Sequence, residues 1–457
     1  MKIEELLLTQ EYQDWLKTQP KGISAYKKEK YTREIHELVH SDISVQTSMS
    51  AKENTLFHKY HEMREWLPKQ DKKTIRWVEK LIWKPTGKSD FRRIKPELIL
   101  VESEYEVNSV NIWGENQVDK LPPSDALSKH WEILRVMISR ARYDGFPGRQ
   151  LNFLVRDKIT KKYLGVISIT SDMLDLSARN QSIGADIGKF YRDKHAFNIT
   201  ANGQTIVPTQ PFGSALLGGK LLSLLCVSKE VADTWKSAYG DTLVGVTTTS
   251  LYGDTGTDGR TQYDGLTPYW KKMGSSKGSA PIKMTDKVFD KVRDWIRLCY
   301  PLHYYRYAVH SRKNSKNTLQ RFAYNKLGLK HGAISNHNRN IYFSRIYLNT
   351  DEYIRRYVTN SYDKTVEIIR DQDLVPAFDN SIEALTEHWR FGHATDTTTS
   401  PKHLVKEFGK DLRRMTKGRV DNLYKERDIP TSGINVEWYE DLAEITSWEQ
   451  VKKRYPI

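Results

Sequence analysis

Cysteine, long apolar runs and, over one stretch, acidic residues are what this 457-residue sequence lacks. Its two cysteines, Cys226 and Cys299, exclude a disulfide scaffold and a multi-cysteine zinc site. Both sit in apolar, helix-like surroundings and read as core residues. Nowhere do about 18 apolar residues run together, so no membrane-spanning helix and no membrane partner are expected. The Met1–Gln19 start is charged and has no apolar h-region, which points to a cytoplasmic protein. A Walker A loop, a G-x-S-x-G elbow and a kinase motif set are all missing. His331 with His337, and His388 with His393, match no ligand spacing, so no metal is expected. From Trp295 to Thr350 there is no Asp or Glu in 56 residues.

What is present is positive charge and aromatic mass. Lys and Arg number 72 against 57 Asp and Glu, a formal charge of +15, and the pI is near 9.4. Nucleic acid, DNA in the first place, is therefore the leading partner class. With 12 Trp, 25 Tyr and 13 Phe the chain can build real cores, and global disorder is excluded. At about 100–200 residues per domain the length fits two to four domains.

The texture changes along the chain. Residues 1–95 read as an amphipathic, helical N-terminal region in which basic Lys21–Arg33 is a solvated face or linker. Residues 96–285 read as a mixed α/β core. Gln150–Arg156 and Leu164–Thr170 are strands joined as a hairpin, and a glycine-bearing apolar helix spans Phe212–Leu225. A second helix, Lys229–Tyr239, and a strand over Thr242–Thr249 follow. Residues 286–395 are basic and aromatic-rich and are expected to continue the core. Residues 396–457 are a charged helical tail.

Three segments could carry chemistry. The first is Gly218-Gly219-Lys220, where a helix start and glycines would let a cofactor pyrophosphate approach the backbone, as in acyl-CoA-dependent N-acyltransferases. Close helix packing explains the same glycines. The second is the hydroxyl- and glycine-rich run Thr247–Gly278, read as a loop after a strand. Asp254 and Tyr263 in it are the candidate catalytic base and orienting group. The third is the acid-free window. Its ten Lys and Arg are uncompensated, and its ten aromatic rings can stack on unpaired bases or fill a core. Arg306, Arg312, Lys313, Lys316, Arg321 and Arg339 are its candidate nucleic-acid contacts.

Several segments in order resemble the DruA family of the Druantia anti-phage system. They include Gly148–Asp157, Leu164–Thr170, Leu176–Gly184, Leu216–Leu225 and Leu243–Gly253, then Asn317–Gly328, Arg339–Tyr342 and Ile382–Arg390. The resemblance covers roughly residues 95–395. It implies a role in conflict between phages and bacteria inside the host cell, with other phage or defence-system proteins as partners, and it implies no reaction. Tyr252–Gly278 is also similar to the end of Mom-type DNA-modification proteins, which are acyltransferase-like. The expected function is thus a nucleic-acid-binding protein with a mixed α/β, acyltransferase-like core. The alternative is an acyl-CoA-dependent transferase acting on DNA bases.

Overall fold

Residues 3–20, 22–47, 66–84, 90–101, 125–139, 148–173, 176–184, 198–209, 212–250, 261–276, 280–310, 315–329, 333–334 and 339–392 are described in a computed structural model. In chain order the main elements are α1 (Gln10–Lys17), α2 (Ala25–Thr47), α3 (Lys72–Leu81), β1 (Pro96–Val101), α4 (Asp125–Ile138), β2 (Gln150–Asp157) and β3 (Tyr163–Ser171). There follow α5 (Ser177–Ile183), β4 (Thr200–Pro208), α6 (Gly218–Leu225), α7 (Lys229–Tyr239), β5 (Gly245–Thr249), β6 (Lys271–Ser275) and β7 (Ala280–Pro281). The last are α8 (Asp286–Cys299), α9 (Ser315–Leu327), β8 (Ala333–Ile334), β9 (Asn340–Arg345), α10 (Thr350–Tyr362) and α11 (Ile382–Gly392).

These elements form two compact units. The described residues up to 47 and those of 280–334 make a helical unit, and the remainder make a sheet-bearing unit. The segment expected at 286–395 to continue the core thus divides. Its first part packs with the N-terminal helices, because α8 needs an apolar partner for its inward stripe.

In the sheet-bearing unit seven strands run in the order β1-β2-β3-β4-β5-β9-β6. Neighbours are antiparallel except β4 and β5, which run parallel over Thr200, Ala201 and Asn202 only. Beyond that point a bulge intervenes. Ser168 faces Thr205 and Ile169 faces Gly203, so Gln204 is an extra residue in β4. A bulge bends its strand, and here it turns β4 away from β5 to leave a fork. One sheet face carries Leu151, Phe153, Ile167, Ile169 and Val246, and packs on α6, α7 and α11 through Leu221, Leu225, Trp235 and Trp389. Burying side chains of this size stabilises by about 1.5–3 kcal/mol each.

Two sequence expectations differ from the structure here. The single helix expected over Phe212–Leu225 is broken, since Leu217 adopts a left-handed backbone with φ 52°. Trp389 Nε1 donates to the freed carbonyls of Leu216 and Leu217 at 3.1 and 3.3 Å, which supports the break. The loop expected over Thr247–Gly278 contains a strand, β6, paired with β9. Its Lys, Gly and Ser residues carry little strand propensity, so tertiary pairing at the sheet edge decides.

The helical unit is built on α8, whose Val288, Phe289, Val292, Trp295, Ile296 and Cys299 fall at helical spacing on one face. They pack with Ile35 and Val39 of α2 and with Leu319, Ala323, Tyr324 and Leu327 of α9. The fully buried Trp295 donates its Nε1 proton to Thr32 Oγ1 at 3.0 Å, so the indole keeps its polar end satisfied.

Candidate nucleic-acid interface and the strand fork

Two basic stretches far apart in sequence meet in the helical unit. Lys28 lies 4.3 Å above the ring of Tyr300, and Lys326 lies 5.5 Å from the same ring and 5.9 Å from Phe322. Arg306 stacks on Tyr307 at 5.6 Å. Three carboxylates of this unit are paired with other cations, Glu29 with Arg33 at 3.3 Å, Asp286 with Lys316 at 2.8 Å and Asp290 with Arg293 at 3.1 Å. Asp294 and Glu34 lie near Tyr31 and, after burial, help raise its pKa. Among the described residues Lys28, Arg306, Arg321 and Lys326 have no carboxylate partner. Burial first, and then the charges of Lys326 and Arg306, hold the His303 imidazole below the ordinary histidine range. The local field is therefore positive.

Of the six predicted nucleic-acid contacts, Arg306, Lys316 and Arg321 lie in this unit, and Lys316 is tied to Asp286. Arg312 and Lys313 lie outside the described residues. Arg339 belongs to the sheet-bearing unit, where burial lowers its pKa and its backbone N–H donates to Ser276 Oγ at 3.1 Å. The acid-free window is thus not one face. Arg345, at its far end, is neutralised by Asp351 at 2.8 Å. Of Lys21–Arg33, expected as a solvated face or linker, the part from Ala25 onward belongs to α2 and supplies Lys28.

The fork between β4 and β5 is where the other predicted residues gather. Tyr263 is buried and its hydroxyl lies 3.3 Å from Thr248 Oγ1. Gln262 Nε2 donates to that Tyr263 hydroxyl at 3.1 Å and to the carbonyl of Ile206 in β4 at 3.2 Å. Thr248 Oγ1 donates to the Gly203 carbonyl at 2.9 Å, so the splayed strands are bridged by side chains where a ladder would have run. Lys220 donates to the Asp264 carbonyl, and burial lowers its pKa. Burial raises the Tyr263 phenol well above its ordinary value and pushes Tyr342 up to about 12. Neither phenol is set up to ionise near neutrality. Gly218 lies against the ring of Phe212, which a Cβ would meet at 2.4 Å, and a Cβ on Gly219 would meet Gln262 Oε1 at 2.7 Å. Both glycines are thus in close internal contact. Asp254 lies outside the described residues.

Two features escape the motif reading. The sheet face opposite α6 carries an in-register polar row, Gln150, Thr170, Asn202 and Thr247, across four strands. At its end Arg179 Nη1 meets Asp172 Oδ2 at 2.5 Å with both side chains fully buried, and donates to Thr247 Oγ1 at 3.1 Å. Gln150 and Asn152 alternating with apolar residues at the start of β2, and Ser168 and Thr170 at the end of β3, are the sequence signal, hidden because it mimics an ordinary half-exposed strand end. The other is His36-Glu37-Leu38-Val39-His40 in α2, an H-E-x-x-H spacing. Its two imidazoles stack 6.1 Å apart at 9°. Among the described residues no group of three His, Cys, Asp or Glu forms a metal site, and no helix is long and apolar enough to cross a membrane.

The sequence model described as Druantia protein DruA matches residues 116–356. The chain belongs to the DruA family. The matched span runs from α4 to α10, so it takes in the sheet from β2 onward and, in the helical unit, α8 and α9. Druantia protein DruA of Escherichia coli (strain UMEA 4076-1) is 28% identical over 216 residues, which is 44% of this chain and 51% of that protein. The chain thus spans about half the length of this curated relative. No solved structure matches it.

Proposed function

We propose that the chain is a nucleic-acid-binding member of the DruA family acting in phage–bacterium conflict, and that DNA is its nucleic acid. The supporting observation is the charge arrangement of the helical unit: among the described residues Lys28, Arg306, Arg321 and Lys326 have no carboxylate partner, while Glu29, Asp286 and Asp290 are bound in ion pairs. Unpaired cations interleaved with aromatic rings suit phosphates and exposed bases. Family membership favours the defence-system role, with other defence-system proteins as partners. The test is a salt titration of duplex and single-stranded DNA binding. Each phosphate contact should add about 0.9 to the log–log slope on duplex, and Arg306→Glu with Arg321→Glu should lower both affinity and slope. A flat slope, or binding indifferent to both substitutions, would sink the reading.

The fork motivates a second reading, an acyl-CoA-dependent transferase on DNA bases, because two parallel strands part there beside the start of α6. In this arrangement the residues do not fit its pyrophosphate. The Gln262 side chain takes the space over Gly219 and bridges to Ile206. Thermal shift with acetyl-CoA decides: stabilisation of Gln262→Ala, but not of the parent chain, would revive the reading, and none in either would end it.

A further inference from the structure

The helical unit holds a groove of about 490 Å³ between α2 and α9, lined by Lys28, Glu29, Thr32, Arg33, His36 and Lys326 among others. We propose that this groove seats the phosphate of a single nucleotide, with Lys28 and Lys326 as its ligands. The inference rests on the nucleic-acid reading and deepens it by naming the chemical unit recognised.

Lys28 and Lys326 are almost three hundred residues apart in sequence, yet both ammonium groups point at the ring of Tyr300, at 4.3 and 5.5 Å. The ring face attracts each cation but carries no net charge to neutralise it. The carboxylate in the groove, Glu29, is engaged by Arg33. Both lysines line the groove, so an anion seated there would meet two ammonium groups, and charge-assisted contacts to phosphate oxygens are the strong kind. Thr32 is not free to help, since its hydroxyl donates to the Lys28 carbonyl at 2.7 Å and accepts from Trp295. Recognition therefore falls on the two lysines, with Arg33 and His36 also lining the groove.

Shape narrows the class. A volume of this size lies in the range of small-molecule sites and is large enough for one nucleotide. The shared chemistry is a nucleoside monophosphate group, either the phosphorylated end of an unpaired strand or a free nucleotide.

Fluorescence anisotropy on the full chain tests this with a 5′-phosphorylated single strand, the same strand ending in hydroxyl, and adenosine monophosphate as competitor. The phosphorylated strand should bind more tightly than the hydroxyl strand. Lys28→Gln with Lys326→Gln should abolish that preference, a loss of roughly tenfold, the size of a charge-assisted contact. Competition by the monophosphate at low concentration assigns the groove to the free nucleotide, and no competition assigns it to strand ends. Equal binding of both strands, unchanged in the double lysine variant while Arg306→Glu with Arg321→Glu still weakens it, overturns this inference and leaves the nucleic-acid reading standing. Failure of the parent chain to bind any strand or the monophosphate overturns both.

Discussion

Arg179 in the sheet-bearing unit is fully buried, and Asp172, Thr247, Met173 and Asn180 take up its donors. In the helical unit Lys28 and Lys326 lie over aromatic rings at the rim of an open groove, with no carboxylate partner among the described residues. The same positive charge is thus handled in opposite ways. A buried cation must be matched inside the molecule because desolvation is costly. An exposed cation can be left unmatched and offered to something outside. The distinction separates charge that specifies the fold from charge available for a partner, which composition merges into one net value.

Removing one member of the matched set gives the largest expected effect. Asp172→Ala leaves the Arg179 guanidinium buried without its counter-charge, and the expected loss is about 3–5 kcal/mol, read from urea unfolding. A loss under about 1 kcal/mol would mean that water reaches Arg179 and that the two units handle charge more alike than their burial implies. Arg306→Glu with Arg321→Glu should behave in the opposite manner. Stability should change by less than about 0.5 kcal/mol for each surface site, while the salt slope of duplex DNA binding falls by about 0.9 for each phosphate no longer engaged.

Part of this contrast was legible in the sequence. The strands β2 and β3 and the helical stripe of α7 identify themselves, because apolar strand-like runs and helical spacing are local signals. The depletion of acid from Trp295 to Thr350 is visible in the sequence itself. Its division between two units was not legible, because nothing between Lys330 and Arg339 distinguishes residues that join α8 from residues that join the sheet. Nor could spacing bring Lys28 to Tyr300. The polar row ending at Arg179 is illegible for another reason: Gln150, Thr170, Asn202 and Thr247 are scattered singly over four strands, and only register brings them together. Tyr263 and Lys220 were singled out for chemistry and do lie near one another, but both are occupied in internal hydrogen bonds.

A smaller effect is expected where a neutral polar group is matched inside the helical unit. Thr32→Val removes the acceptor of the buried Trp295 indole N–H at nearly constant volume. The expected cost is about 1–3 kcal/mol, again read from urea unfolding. If the cost is negligible, this unit tolerates unmatched buried donors, and the contrast with the Arg179 site becomes one of charge rather than burial.

The smallest effect is a pH dependence that tells the units apart. Burial lowers the pKa of His130, whose Nδ1 lies 2.7 Å from the Tyr163 hydroxyl in the sheet-bearing unit. Burial also lowers that of His303 in the helical unit, where Lys326 and Arg306 add to the shift. In both cases the unfolded chain takes up the proton more readily, near pH 6.5, so stability is full above that pH and declines as pH falls toward the folded-state pKa. The two should respond differently to salt. A depression caused by burial alone is insensitive to ionic strength, whereas one caused partly by neighbouring cations is screened. Imidazole titrations followed by NMR should therefore show the His303 pKa rising with added salt, and rising further with bound DNA, while that of His130 stays fixed. If both imidazoles ignore salt, the positive field assigned to the helical unit is absent at His303, and its cations must be compensated by groups outside the described residues.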